Sequence, residues 1–360
     1  MARALSRPSI DTSLHTWPHT HEGKITVIKY SSLALAVFCG LVAAPVSAQD
    51  KPTLTVYTYD SLAAEWGPGP ALKTGFEATC NCTLEWVAVE DAISTLRRVQ
   101  LEGDSTQADV LVGLDTAIAG EARASGLFAD HGLELADLKL PNAWQDAQFV
   151  PFDYSHFAFV YDADNVTNPP RTFEELIALP DDFKIVIQDP RSSSPGLGLV
   201  LWIKAAYGDR ADEIWAGLKP HILTITRGWS ESYSLFLDGE ADMALSYTTS
   251  PAYHIVADGD DTIHAALFDE GHFPQIEVAG ILKSSDQQEL AQEFLAYLAS
   301  VEGQKLIPTT NWMFPVVDLG DALEPAIAAL PQPEKTLVLS DDEITANSAA
   351  WIDEMLAAVQ

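Results

Sequence analysis

The sequence predicts an α/β fold built as two similar halves around a ligand cleft. Short β-branched or aromatic runs alternate with segments of helical spacing, which is the grammar of an open sheet covered by helices. The pattern occurs twice, with no glycine-rich linker between, so the chain is expected to cross from one lobe to the other and return. At 360 residues and 47% hydrophobic, it can bury one large core or two medium ones.

Thr53–Tyr59 (TLTVYTY), Leu84–Val89 (LEWVAV) and Asp109–Leu114 (DVLVGL) read as strands. Pro70–Ala78 and Asp91–Glu102 between them read as helices, the second with Ile93, Leu96 and Val99 recurring every three residues. The pattern resumes with strands at Phe183–Ile187 and Asp242–Tyr247. Thr172-x-x-Glu175 is a capping box that opens one helix, and Leu197–Tyr207 suits another. Asn168-Pro169-Pro170 and Ser194-Pro195-Gly196 punctuate the elements. Ser285-x-x-Gln288 predicts the cap of a helix that buries Leu290, Phe294, Leu295 and Leu298, and a last helix over about Asn347–Val359 uses Trp351, Met355 and Ala358 alike. The crossings are expected at Phe152–Tyr161 and Gln275–Leu282. That divides the chain into 49–155 and 279–360 for one lobe and 156–278 for the other.

Residues 1–48 read as an export signal. The apolar run Ser31–Ala44 follows Lys24 and Lys29, and Val46-Ser47-Ala48 supplies a small-x-small cleavage pattern, so the mature chain is expected to begin near Gln49. A membrane anchor is the alternative, but the run is shorter than the ~18–20 apolar residues that span a bilayer. The bulky Phe38 before Cys39 argues against lipid attachment there. Residues 1–22 do not resemble a normal signal start, which implies either a long signal or a start codon assigned too early.

Cleavage would leave 16 basic and 50 acidic side chains, a net charge of −34, which argues against nucleic acid and anionic membranes as partners. A solvated acidic shell is the ordinary reading, and such a charge does not repel a cationic ligand. Only Cys80 and Cys82 would remain; an oxidising compartment permits a disulfide between them, and two thiols alone do not make a zinc site.

Aromatic residues gather beside Asp, Ser or Thr where strands end: Tyr57–Ser61, Arg227–Ser230, Ser246–His254 and Asn311–Pro315. Any one cluster could be core packing. Together they suggest rings facing a cleft, able to stack on a flat heterocycle and to attract a delocalised cation for ~0.5–2 kcal/mol each. Asp60 and Asp91 would add acceptors and opposite charge. Gln188–Gly196, rich in serine ahead of a helix, could hold an anion at that helix entrance or could supply only an N-cap from Ser194. No nucleophile elbow, P-loop, zinc-protease pair or dinucleotide motif stands in a supporting context, and His254 and His272 are isolated. Catalysis, cofactor and metal are therefore not expected.

The stretches TLTVYTYDSLAAEWGPGP, FEATCNCTLEWVAVEDAIS, ADVLVGLD, FVPFDYSHFAFVYD, QDPRSSSPGLGL, GWSESYSLFL, LSYTTSPAYHI and IPTTNWMFPV occur in that order across residues 52–318. In them the sequence resembles the periplasmic thiamine-binding proteins of bacterial ABC importers. The resemblance implies the two-lobed type 2 periplasmic binding fold, with thiamine or a thiamine phosphate between the lobes. It places Tyr59, Trp229, Tyr247, Tyr253 and Trp312 around the ligand's rings. It sets Asp60, Trp66 and Asp91 beside the pyrimidine or at the cleft closure, and Ser193 at the hydroxyethyl or phosphate end. The implied partner is an inner-membrane ABC permease, and the implied form is a periplasmic monomer. Two rivals are a thiamine-cleaving transferase of the same fold, which would need a cleft cysteine, and a binder of another organic cation such as a polyamine.

Overall fold

The computed structural model describes residues 51–135, 137–141 and 144–359. The expected signal and its cleavage site at Ala48 lie outside the described residues. Ten strands are present among those described: β1 Thr53–Tyr59, β2 Thr83–Val89, β3 Val110–Asp115, β4 Phe149–Asp162, β5 Ile185–Gln188, β6 Ile222–Thr226, β7 Met243–Tyr247, β8 Ile263–Ala265, β9 Pro274–Ile281 and β10 Phe314–Pro315. Their order is β2-β1-β3-β9-β4-β7-β5-β6, with β8 and β10 both paired to β4.

The 14-residue β4 joins two groups of strands. Its first part, through His156, pairs antiparallel with β9; from Phe157 onward it pairs with β7 and β8. On one side β1, β2 and β3 run parallel; on the other β5 is parallel to β6 and β7. The parallel strands are connected through helices.

Side-chain alternation sorts β1 between two cores. Leu54 and Val56 join Leu72, Phe76, Leu84, Phe294 and Leu298 beneath the helices Gly69–Cys80 and Gln288–Leu298. Tyr57 faces the other way, into a larger core containing Trp202, Trp215, Phe159 and Phe173. Helix Ser194–Tyr207 is apolar on all sides because it is covered on all sides: every residue from Ser194 to Ile203 is buried.

The predicted strands and helices at 53–59, 84–89, 91–102, 172–175, 183–187, 197–207 and 242–247 are present, with ends moved by up to three residues. Three details differ. Helix Gln288–Leu298 is not capped by Ser285, because that hydroxyl accepts from Gln287 N–H and donates to Asp109 Oδ1 at 2.5 Å. The final helix begins at Asp341, six residues before the expected Asn347; Ile344 is already buried, and Asp341, Asp342 and Glu343 in the first turn suit the positive end of the dipole. At residue 194 the N-cap is Ser193, with Ser194 inside the first turn. Cys80 and Cys82 are joined as a disulfide, their Cα atoms 5.2 Å apart across Asn81, whose φ of 50° lies in the left-handed region.

Candidate functional site

The carboxyl ends of the parallel strands converge on one cavity of about 360 Å³. Five strands deliver residues to it at or just past their ends: Tyr59 ends β1 and Asp60 follows it, Asp91 follows β2, Ser194 follows β5, Trp229 follows β6, and Tyr247 ends β7 ahead of Ser250. Tyr253, Gln275, Glu277, Asn311 and Trp312 complete the wall, and Trp66, 56% exposed, stands at the rim. Eight of the nine residues expected at the ligand line this cavity.

The exception is Ser193, which is fully buried; its hydroxyl donates to Asp91 Oδ2 at 2.8 Å, and Ser194 takes the place on the wall.

Two glycines allow close approaches here. Gly113 sits at φ 101° in a bulge of β3, and a Cβ there would lie 2.3 Å from the Tyr59 ring. Gly228 brings the start of helix Trp229–Leu237 against β2, where a Cβ would meet Glu90 O at 3.0 Å.

That approach serves Asp91, whose carboxylate lies at the N-termini of three helices. Oδ1 accepts from Ala92 N at 2.7 Å and Ser194 N at 3.2 Å; Oδ2 accepts from Ser193 Oγ at 2.8 Å and Trp229 N at 3.2 Å. Burial pushes its carboxyl up to about 6 against the pull of these donors. A second link between the strand groups is Ser230 Oγ donating to Asp60 Oδ1 at 3.0 Å. The serine-rich helix entrance thus holds an anion of the chain's own, the Asp91 carboxylate.

Aromatic rings stand on several sides. Trp229 stacks on Tyr233 at 4.7 Å and donates from its indole to Ser246 Oγ at 2.8 Å. Tyr253 meets Trp312 edge-on at 5.4 Å, and Tyr247 packs against Phe157 at 5.6 Å. Trp312 is held at a φ of 57°, a strained backbone for a bulky residue.

The floor is acidic, and sequence reasoning missed it. Glu277 on β9 lies opposite Asp153 on β4. Tyr59 donates to Glu277 Oε2 at 2.8 Å and Gln275 Nε2 to Oε1 at 3.1 Å, while Asn311 Nδ2 reaches Asp153 Oδ2 at 2.6 Å. Burial pushes Asp153 up to about 7, and burial with the neighbouring Asp153 charge raises Glu277 well above the ordinary carboxylate range. The only available signal was a lone acid inside each of two mainly apolar runs, FVPFDYSHF and PQIEVAGI. Asp60, Glu90, Asp91 and Glu277 line the cavity, and no Lys or Arg does so among the described residues.

The histidines near the site are structural. His272 is fully buried, with Nδ1 facing Phe157 O and Nε2 accepting from Phe268 N, both at 2.7 Å, and desolvation lowers it to about 4. His254 pairs with the Tyr233 hydroxyl at 2.9 Å.

Residues 54–305 match the model of the bacterial extracellular solute-binding proteins. The chain belongs to this family. The "Thiamine-binding periplasmic protein" of Salmonella typhimurium is 49% identical over 319 residues, covering 89% of this chain and 96% of that protein; its namesake from Escherichia coli is 48% identical with the same coverage. A solved "Periplasmic thiamin binding protein" superposes with a TM-score of 0.84 at 48% identity, covering 86% of this chain and 97% of that one. The family member described here therefore has the two-lobed type 2 periplasmic binding fold, with its cavity where the strand ends of both groups meet.

Proposed function

We propose that this protein is a periplasmic solute-binding protein that captures thiamine and delivers it to an inner-membrane ABC permease. The observation that carries the reading is the wall of the cavity: Trp229, Tyr247, Tyr253 and Trp312 offer flat faces, four carboxyl side chains make it acidic, and no basic side chain among the described residues lines it. A flat heterocycle with a delocalised positive charge suits that combination, since ring faces and carboxylates both attract it. The likeness to thiamine-binding periplasmic proteins over nearly nine-tenths of the chain supports the same ligand.

The proposal includes thiamine phosphates as alternative ligands. With Asp91 already occupying the helix N-termini closest to the cavity, a phosphate would extend toward the mouth, near Trp66 and Ser230. The lobes are assigned as 49–155 with 279–360, and 156–278; the signal is removed near Ala48, and the protein acts as a monomer. Capture needs no covalent step: ligand between the lobes favours the closed form by binding it more tightly than the open one.

The thiamine-cleaving reading would require a cysteine nucleophile in the cleft, and both cysteines among the described residues are engaged with each other. Isothermal titration of the chain from Gln49 onward with thiamine, its monophosphate, its diphosphate and spermidine tests the proposal. Saturable one-to-one binding of thiamine supports it; no binding of thiamine alongside binding of spermidine replaces it with the polyamine reading.

A further inference from the structure

Asp153 and Glu277 face each other across adjacent antiparallel strands, Glu277 lining the cavity and Asp153 buried off its wall, and like charges directly opposite are unfavourable. Both are nearly inaccessible to water, at 0% and 4% exposure. The polar groups packed around them are Tyr59 from β1, Asp115 from β3, Tyr247 from β7, Gln275 beside Glu277 on β9, and Asn311 from the segment after helix Ile307–Thr310. All are acidic or neutral, so nothing basic compensates a second negative charge.

Two buried carboxyl groups so placed resist carrying two negative charges, and burial raises both above the ordinary carboxylate range. The surrounding donors are too few for two carboxylates: Asn311 and Tyr59 serve one oxygen of each, Gln275 serves the other oxygen of Glu277, and Asp153 Oδ1 has no partner. Gln275, on the cavity wall and 2% exposed, also has an Oε1 with no partner. An unsatisfied acceptor at such a place is costly, and a nearby positive charge offsets part of that cost by electrostatic attraction.

We propose that the Asp153–Glu277 pair is the counter-charge for the ligand's cationic ring: it holds one proton in the empty protein and releases it to solvent when the cation enters. The inference rests on the thiamine reading and adds its charge balance. Thiamine carries a fixed positive charge that it cannot shed, so neutrality at the floor is reached by loss of the protein's proton. Glu277, on the wall, is the specificity-determining residue; Asp153 is a positioning residue that keeps Glu277 protonated until the cation arrives. Burial raises both groups in the empty protein, Asp153 to about 7 and Glu277 well above the ordinary carboxylate range, so the pair keeps a proton that exposed carboxyls would have lost.

The test is calorimetry of thiamine binding in phosphate and in Tris, whose ionisation enthalpies differ, at pH 7 and 8. That window lies above the values near 6 to which Asp91 and Asp115 are raised. The wild type is expected to release up to about one proton per thiamine, with affinity rising up to about tenfold between pH 7 and 8. Glu277→Gln and Asp153→Asn, checked for folding by circular dichroism, are each expected to bind more weakly and with little proton release. Thiamine binding with no proton release and no pH dependence in the wild type overturns the inference, as does release that persists in both variants. Absence of any thiamine binding overturns the thiamine reading instead, and this inference falls with it.

Discussion

Replacing Asp91 by asparagine should weaken ligand capture by acting on closure. In the wild type, three of its four accepted hydrogen bonds come from Ser193 Oγ, Ser194 N and Trp229 N, on helices that follow β5 and β6; only Ala92 N belongs to its own strand group. An amide of the same size retains one oxygen and turns an N–H₂ toward the donors of the other. Placed at the Oδ2 position, the amide can be accepted by the rotatable Ser193 hydroxyl, so one donor, the Trp229 N–H, is left facing another donor. Losing that bond and the charge on the rest costs roughly 1.5–3 kcal/mol. Some of this is recovered, because the buried carboxylate is itself disfavoured, as its rise to about 6 records. The net, about 1–2 kcal/mol, raises the apparent Kd roughly 5- to 30-fold if it falls on the closed form alone. Calorimetry gives the affinity, and small-angle scattering with and without ligand gives the degree of closure. Equal affinity and equal closure in both proteins would refute the role given to Asp91. Weaker binding with unaltered closure would return it to the ligand's direct contacts.

Trp312→Ala should cost on the order of 1–3 kcal/mol of binding with little loss of stability, whereas Tyr247→Ala should lower both, because its ring also packs on Phe157 in the core; paired titrations and thermal melts separate the two. Replacing Cys80 and Cys82 together by serine should spare binding and lower stability by no more than ~2 kcal/mol, since the loop they close is so short; chromatography of incubated thiamine should show no cleavage products in either protein. Thermal stability should rise on mild acidification: Asp91, Asp115 and Asp153 have raised carboxyls, so their favourable contribution is full below ~4, the unfolded value, and is lost as pH climbs through about 6 to 7. A melting temperature at pH 5.5 no higher than at pH 7.5 would contradict that sign.

Periodicity made most of the fold legible. Strands such as β1 and β7 are apolar runs closed by turn residues, and helix Ala92–Glu102 buries the residues its three-residue spacing selects. Strand β6 escaped because it lies at the sheet's edge, where two of its five residues, Leu223 and Thr224, are exposed and no buried face writes a pattern. Capping was harder to read than helicity, because a cap can come from anywhere in the chain. Thr172 caps its own helix as its sequence promises, while helix Ser194–Tyr207 is capped by a carboxylate 103 residues away.

The same distance rule explains what could be read of the site. Its aromatic residues were visible because each stands beside turn-forming polar residues at a strand end, a local anomaly that one sequence displays. Asp153 and Glu277 were not, since an isolated acid in an apolar strand looks like any outward-facing residue until the partner strand is known, and their pairing spans the whole excursion from β4 to β9. Aromatic walls set the shape of what is admitted, and shape alone would pass many flat molecules. Discrimination by charge falls to groups whose cost depends on being buried together: a neutral flat ligand brings no opposite charge to the paired Asp153 and Glu277, while a cation offsets the second negative charge there. A neutral tricyclic oxidation product of thiamine, matched in rings but lacking the charge, should therefore bind at least tenfold more weakly than thiamine, and equal affinity for the two would place selectivity in the aromatic walls instead.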